Sequence, residues 1–268
     1  MIGIASAIAS AVAFSINAPL AYAAAKRGVT SQTLVAIRNL VALAMTAPFL
    51  QLGVPAHVVA IVAASALLGP GLGDYAYFKA MSSSGVASAV TVAYTYILTA
   101  QIFSALLGIE TLGTGDILGA ILAVLGVLVA VGGRPKGAGL YYGVAASLAW
   151  GAASTLLGAA SKSASPFTIA AIRSATLTPI FLLFSNFNAR PSGLLYAVAS
   201  GVVGLGAGSL AFIYAMSQVG VGATVVATAI TPILSQVFDR ALNKTPISPK
   251  YILGALLVGA GIVAVMSN

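Results

Sequence analysis

The second half of this chain repeats the first at a constant offset. Gly73-Asp-Tyr-Ala-Tyr-Phe-Lys-Ala-Met81 returns as Gly208-Ser-Leu-Ala-Phe-Ile-Tyr-Ala-Met216, and Gln101-Ile-Phe103 returns as Gln236-Val-Phe238. Ile117-Leu-Gly-Ala120 comes back as Ile252-Leu-Gly-Ala255, and Ala36-Ile-Arg38 as Ala171-Ile-Arg173. Every pair lies 135 positions apart, so the match runs without a gap from the second apolar segment to the end. A chain that is two copies of one unit folds as two like bundles, and the number of elements in each copy decides how the copies face each other.

The elements are membrane helices. Hydrophobic residues make up 60% of the chain and charged residues 6%, whereas a soluble domain carries about 25% charged residues. There is too little polar surface to cover a core in water. Lipid leaves no unpaired backbone groups, so only helices or a closed barrel can span it. The apolar runs are about 20 residues long without two-residue alternation, which fits helices rather than barrel strands of about 10. The net charge of +8 comes from basic residues scattered singly between apolar runs, with no stripe to follow a phosphate backbone, so no nucleic-acid partner is expected. Cysteine is absent, which excludes disulfides and thiolate metal sites. The N-terminus, Met1-Ile-Gly-Ile-Ala-Ser, lacks the basic start of a signal peptide and reads as the first span.

Ten spans follow, at roughly 2–25, 31–51, 57–80, 86–108, 115–133, 139–161, 166–187, 192–216, 221–243 and 249–267, divided by short segments rich in Gly, Pro, Ser and Asn. Residues 1–134 hold the first five and 137–268 the second five. Five is odd, so the repeats are inverted. The predicted fold is an all-α membrane protein of ten transmembrane helices, two inverted five-helix repeats around a central cavity. Proteins built this way are mostly secondary transporters with a midplane site between the copies. Small residues recur every fourth position, as at Gly115, Gly119 and Ala123 or Gly204 and Gly208, and let helix backbones approach closely. With the N-terminus on side A, side B receives Lys26, Arg27, Arg134, Lys136, Arg190, Lys244 and Lys250, while side A receives Lys162, Glu110 and Asp116. Basic loops face the cytoplasm, which puts side B inside the cell and both termini outside.

Several of these segments resemble a known family. Gly73…Ala80-Met81…Gly85-Val-Ala-Ser-Ala-Val, followed by Glu110-Thr-Leu…Asp116-Ile-Leu-Gly119…Leu125-Gly126-Val127, is similar to the EamA-type repeat of the drug/metabolite transporter superfamily. Ala13-Phe14-Ser15 and Ala149-Trp150-Gly151 also resemble it, as do the two Ala-Ile-Arg triplets. The resemblance covers nearly the whole chain, twice. It implies a ten-helix transporter of small polar metabolites, amino acids or similar, in the cell membrane. The first, third and fourth helices of each repeat would line the cavity. It also implies cytoplasmic termini, against the loop charges. Two family positions differ between the halves: Pro232 matches Ile97, and Glu110 matches Thr245. Pro232 is expected to kink the ninth span where the fourth stays straight.

Arg38, Asp74, Arg173 and Asp239 are the ionisable residues within spans. Each must face water or a partner, since a charge in hydrocarbon costs at least about 2.5–3.5 kcal/mol. Arg38 and Asp74 lie at equal depth, roughly 10 Å from side B at 1.5 Å per residue, so they can pair. Arg173 is the copy of Arg38, but Ser209 stands where its acid would be. Two readings stay open for the arginines: anchors for loop carbonyls near opposite faces, or gates and anchors for an anionic group. Asp74 is either the partner of Arg38 or a site for a cation or coupled proton. Asp239 beside Arg240 reads as an interfacial pair.

Polar and aromatic stripes mark the cavity. Ser10, Phe14 and Asn17 share one face of the first span, and Ser147, Trp150 and Ser154 share a face of its copy. The fourth span offers Thr91, Tyr94 and Gln101; the ninth offers Thr224, Thr228, Thr231, Ser235 and Gln236. Tyr77 and Tyr214 lie on the third span and its repeat. The expected substrate-binding set is Asn17, Tyr77, Tyr94, Gln101, Trp150, Ser154, Tyr214, Thr228 and Gln236, with Asp74, Arg38 and Arg173 as coupling or gating residues. Aromatic walls with few hydrogen-bonding groups suit an uncharged or zwitterionic small molecule, alongside a proton if Asp74 titrates. No cofactor, metal site or catalytic residue is expected, and His57 has no second ligand nearby. A passive channel or facilitator is the alternative, and an intramembrane lipid-modifying enzyme a more distant one. Nothing in the sequence fixes an oligomeric state.

Overall fold

The computed structural model describes residues 2–132, 137–243 and 250–267, leaving aside the side chains of residues 85–88, 239, 242, 243 and 251. Arg134, Lys136, Lys244 and Thr245 fall outside the described residues, as does the side chain of Asp239. Twelve α-helices carry the described chain: α1 Ile2–Ala25, α2 Ser31–Thr46, α3 Ala56–Ala66, α4 Asp74–Ala93, α5 Tyr96–Leu106, α6 Thr114–Val131, α7 Ala138–Ala160, α8 Pro166–Leu183, α9 Pro191–Ser200, α10 Ser209–Ala227, α11 Thr231–Asn243 and α12 Lys250–Met266.

These helices form ten spans. Eight continuous helical stretches among the described residues are long and apolar enough to cross a membrane. One of them, Pro191–Phe238, has 48 residues, more than twice the ~20 that cross a hydrocarbon core. It breaks at Gly220, whose φ of 79° and ψ of −179° interrupt α10 and divide the stretch into the eighth and ninth spans. The shorter apolar segment Ile252–Met266 on α12 completes the set. Leu106, Ile117, Leu118, Ile252, Leu256 and Val263 are exposed on the flanks of the bundle, where lipid rather than water is the neighbour that tolerates them.

Inversion follows from how equivalent helices meet. At one end of the α2–α8 pair, the Thr33 hydroxyl donates to the Asn186 carbonyl at 2.9 Å; at the other, the Gln51 amide donates to the Thr168 hydroxyl at 2.9 Å. The start of α2 therefore lies beside the end of α8, and the two run antiparallel. The fifth and tenth spans repeat the pattern: Gly119 of α6 abuts Gly261 of α12, and Gly126 abuts Gly254. Copies of the same helix that cross antiparallel belong to units of opposite orientation. The glycine rows bring α6 and α12 close enough for backbone contact, the means by which helices adhere when lipid supplies no hydrophobic drive.

The repeats are interlaced rather than side by side. The first span, α1, packs on α9, α10 and α11 of the second repeat, while its copy α7 packs on α3, α4 and α5 of the first. Both seams use a matched device. In the third span, Leu67–Gly73 widens into a π-helix around Pro70, and Gly201–Gly208 does the same in the eighth. A π turn inside an α-helix frequently marks a functional site. Gly73 at the end of the first π segment leaves room for the Trp150 ring; Gly208 at the end of the second leaves room for Phe14. A Cβ at either glycine would collide with the facing ring.

The fourth and ninth spans are both broken near the middle. Tyr94 and Thr95 separate α4 from α5, and a 3₁₀ turn at Thr228–Ile230 separates α10 from α11. The expected asymmetry between these spans is absent. Pro232 is the second residue of α11, where a proline costs no helical hydrogen bond, and the fourth span breaks without one. The Thr95 hydroxyl bonds the Val92 carbonyl at 2.7 Å and the Ser147 hydroxyl at 2.8 Å, helping to hold that break.

Candidate functional site

A cavity of about 140 Å³ lies between the repeats. At about 30 Å³ per water, it holds about five waters or a small organic molecule. Its aromatic wall centres on Trp150, the single tryptophan. Ring centroids of Tyr77, Tyr94 and Tyr96 lie 5.0, 6.2 and 5.7 Å from that of Trp150. Phe14 and Phe212 meet edge to face at 5.8 Å and also line the cavity. Gly69, Pro70, Ala153, Leu157 and Leu205 fill the apolar gaps between them.

Three ionic groups among the described residues line this wall. Arg38 Nη1 donates to Asp74 Oδ2 at 2.6 Å, and the other carboxylate oxygen accepts from Trp150 Nε1 at 3.0 Å. Both side chains are well buried, at 4% and 13% exposure. Asp74 is thus held between a cation and an indole, one from each repeat. Arg173 borders the same cavity and makes no hydrogen bond or ion pair among the described residues; its Nε is buried without a partner. Ser209, at the position equivalent to Asp74, also lines the cavity.

Beyond this wall toward side B lies a second, wider space of about 440 Å³. Tyr22, Lys26, Gln32, Lys79 and Ser82 are among its lining residues, and Phe78 borders both spaces. The Arg38 guanidinium sits 5.2 Å from the centroid of the Phe78 ring, so the ion pair and this ring separate the cavity from the vestibule. Toward side A, Glu110 binds the start of the ninth span. Its carboxylate accepts from the backbone N–H groups of Val221 and Gly222, the latter at 3.0 Å. This is an N-cap supplied by the other repeat, satisfying donors that a helix start otherwise leaves open. Gly3 of α1 packs against Gln218 and Val219 at the same end.

The sequence-derived residues divide cleanly. Asn17, Tyr77, Tyr94, Trp150, Ser154, Arg38, Asp74 and Arg173 line the cavity together. Gln101, Thr228, Tyr214 and Gln236 do not. Thr228 stands behind the wall, bonding the Tyr96 hydroxyl and the Val225 carbonyl. Gln101 is buried near Gly222, with its Nε2 unpartnered. Tyr214 is 37% exposed on the outer side of α10, because the eighth span turns Phe212 rather than Tyr214 inward. Gln236 lies in α11, partly buried and away from the cavity lining. The hydroxyl stripe of the ninth span is spent on helix contacts: Thr224 bonds the Gly220 carbonyl at 2.6 Å, and Thr231 bonds the Ala11 carbonyl at 3.2 Å.

Tyr96, Phe78, Phe212 and Ser209 line the cavity although helical spacing did not pick them out. Two residues apart on a regular helix, Tyr94 and Tyr96 would face nearly opposite sides. The break at Tyr94–Thr95 turns both inward, and no periodicity rule anticipates that. Phe212 was legible as the copy of Tyr77, and Ser209 as the copy of Asp74.

Comparison with known proteins adds three findings. The profile of the EamA-like transporter family matches residues 1–132 and again 137–267. A solved chain titled "Crystal structure of protein" superposes with a TM-score of 0.74 at 21% identity, over 96% of this chain and 98% of that one. The comparison with curated proteins gave no match.

Proposed function

Because the chain belongs to the EamA-like transporter family, we propose that it is a secondary active transporter moving a small polar metabolite by alternating access. One observation carries the reading. Both repeats contribute side chains to one shared cavity, with the Arg38–Asp74 pair in its wall and Glu110 joining the repeats toward side A. A site of this kind opens to one face when one set of contacts parts and to the other when the second set parts.

The gates differ in chemistry. Toward side B, Arg38, Asp74 and Phe78 form the barrier; toward side A, Glu110 clasps the ninth span across the repeats. We assign Asp74 to gating. Its two oxygens are already engaged by Arg38 and Trp150, so in this state it is a lock rather than a vacant proton site. The excess of basic loops on side B supports assigning that side to the cytoplasm.

Counterflow in proteoliposomes tests the proposal with a panel of labelled small amino acids and carboxylic acids. A carrier gives saturable uptake accelerated by solute on the far side. Linear uptake without that acceleration overturns it in favour of a passive pore.

A further inference from the structure

We infer that the central cavity is built for an anion: Arg173 receives the carboxylate of a compact organic acid whose apolar body rests on Phe14, Tyr77, Trp150 and Phe212. The inference rests on reading this cavity as the substrate site, and it selects the class of substrate.

Charge balance leads to it. Among the described residues lining the cavity, Arg38, Asp74 and Arg173 are the ionic groups. Arg38 and Asp74 neutralise each other at 2.6 Å, which leaves one surplus positive charge. Arg173 has no hydrogen bond or ion pair among the described residues. Its equivalent in the other repeat does have an acid, so the missing partner is a departure within the repeat itself. Ser209 occupies the place of that acid and leaves both space and a hydroxyl. Gly69 leaves room for the arginine, since a Cβ there would come within 2.9 Å of Arg173 Nη2. A guanidinium bordering a largely apolar cavity binds a carboxylate through paired, charge-assisted N–H bonds.

The same inventory disfavours ammonium groups. Asp74 has both oxygens committed, to Arg38 and Trp150. The positive group of an amino acid would meet no free acid and would be repelled by Arg173. An acid without an amine therefore outranks its zwitterionic counterpart, which in turn outranks an amine. The approach from side B agrees with this order. Among the described residues, Lys26 and Lys79 line the vestibule and no acidic residue does, a distribution that draws anions inward.

Three probes sharing one short carbon chain isolate the charged group: butanoate, 2-aminobutanoate and propylamine. Trp150 is the sole tryptophan and stands in the cavity wall, so its fluorescence reports binding to the purified full-length protein in detergent. The expected order of affinity is anion, then zwitterion, then cation. Arg173→Gln should weaken the anion by roughly ten- to hundredfold, the worth of a charge-assisted bond, and Arg173→Lys should recover part of it. Ser209→Asp keeps the arginine but supplies the symmetric acid, and should weaken the anion comparably. That variant decides the question even if Arg173→Gln does not fold.

Equal binding of all three probes, preference for the amine, or no binding by any of them overturns the inference. So does anion affinity in Ser209→Asp within about twofold of wild type. Arginine-dependent anion binding without counterflow in proteoliposomes upholds the site and overturns the carrier. Amino-acid counterflow unaffected by Arg173→Gln does the reverse.

Discussion

Replacing Asp74 with asparagine preserves the shape of the side chain and removes its charge, which isolates the electrostatic role of the lock. In the native protein, the carboxylate accepts from Arg38 at 2.6 Å and from Trp150 at 3.0 Å. Asparagine has one acceptor oxygen and cannot serve both donors. The lasting consequence is a guanidinium of 4% exposure with no countercharge. Breaking a buried pair from one side typically costs about 3–5 kcal/mol, because the remaining charge stays desolvated. The 13% exposure of Asp74 toward the cavity lets water reach the arginine, so the expected loss is near the lower limit, about 3 kcal/mol. The companion variant is Arg38→Gln/Asp74→Asn, in which neither charge is stranded. It should lie within about 1 kcal/mol of wild type; with Arg38→Gln also costing about 3 kcal/mol because it strands the carboxylate, the double-mutant cycle gives a coupling of roughly 5–6 kcal/mol. Equilibrium unfolding in mixed detergent micelles, followed by helical circular dichroism, measures all four proteins. If Asp74→Asn costs less than about 0.5 kcal/mol, or the double variant loses the sum of the singles, the pair is not a desolvated lock and the reasoning fails.

Other outcomes follow from particular contacts. Glu110→Ala removes the cap on the ninth span and should cost about 2 kcal/mol of stability in the same unfolding assay, whereas Glu110→Gln keeps one acceptor and should cost less. Gly73→Val and Gly208→Val each drive a side chain into Trp150 or Phe14; neither should yield a monodisperse peak on size exclusion. Pro232→Ala should transport and melt like wild type, since the residue stands at a helix start, where a backbone N–H has no intrahelical partner in any case. The cysteine-free background allows single reporters: Lys26→Cys should react with an impermeant maleimide only from the cytoplasmic side, and Thr111→Cys only from outside, with the opposite pattern reversing the orientation.

Much of the cavity lining was legible in the sequence. The offset of 135 made Arg173 the twin of Arg38 and exposed Ser209 as the missing acid. Depth counting put Arg38 and Asp74 within reach, and they pair. Helical spacing placed Asn17, Trp150 and Ser154 on faces that line the cavity. The same method failed on the ninth span, where Thr224, Thr228 and Thr231 share a face yet bond carbonyls and a tyrosine instead of a ligand. A hydroxyl on an inward face satisfies a helix or a substrate equally well, and spacing alone does not distinguish them. It failed again at Tyr96, because a helix break changes which way its neighbours point. Tyr214 was misplaced for a simpler reason: its repeat-equivalent residue is Lys79, a vestibule residue, while Phe212 is the true copy of Tyr77.

Composition and repetition alone determine that this chain crosses a membrane ten times and that its halves oppose each other, because lipid accepts only closed hydrogen bonding and an odd unit reverses direction on repeating. What the tertiary structure decided is how the halves interlock. The first helix of each packs into the other, so Trp150 of one repeat reaches Asp74 of the other. It also decided which arginine of an identical pair forms an ion pair at 2.6 Å and which lines the same cavity without one among the described residues. Those are relations between distant segments, set by packing at π turns and helix breaks, and a periodic pattern read along the chain carries no record of them.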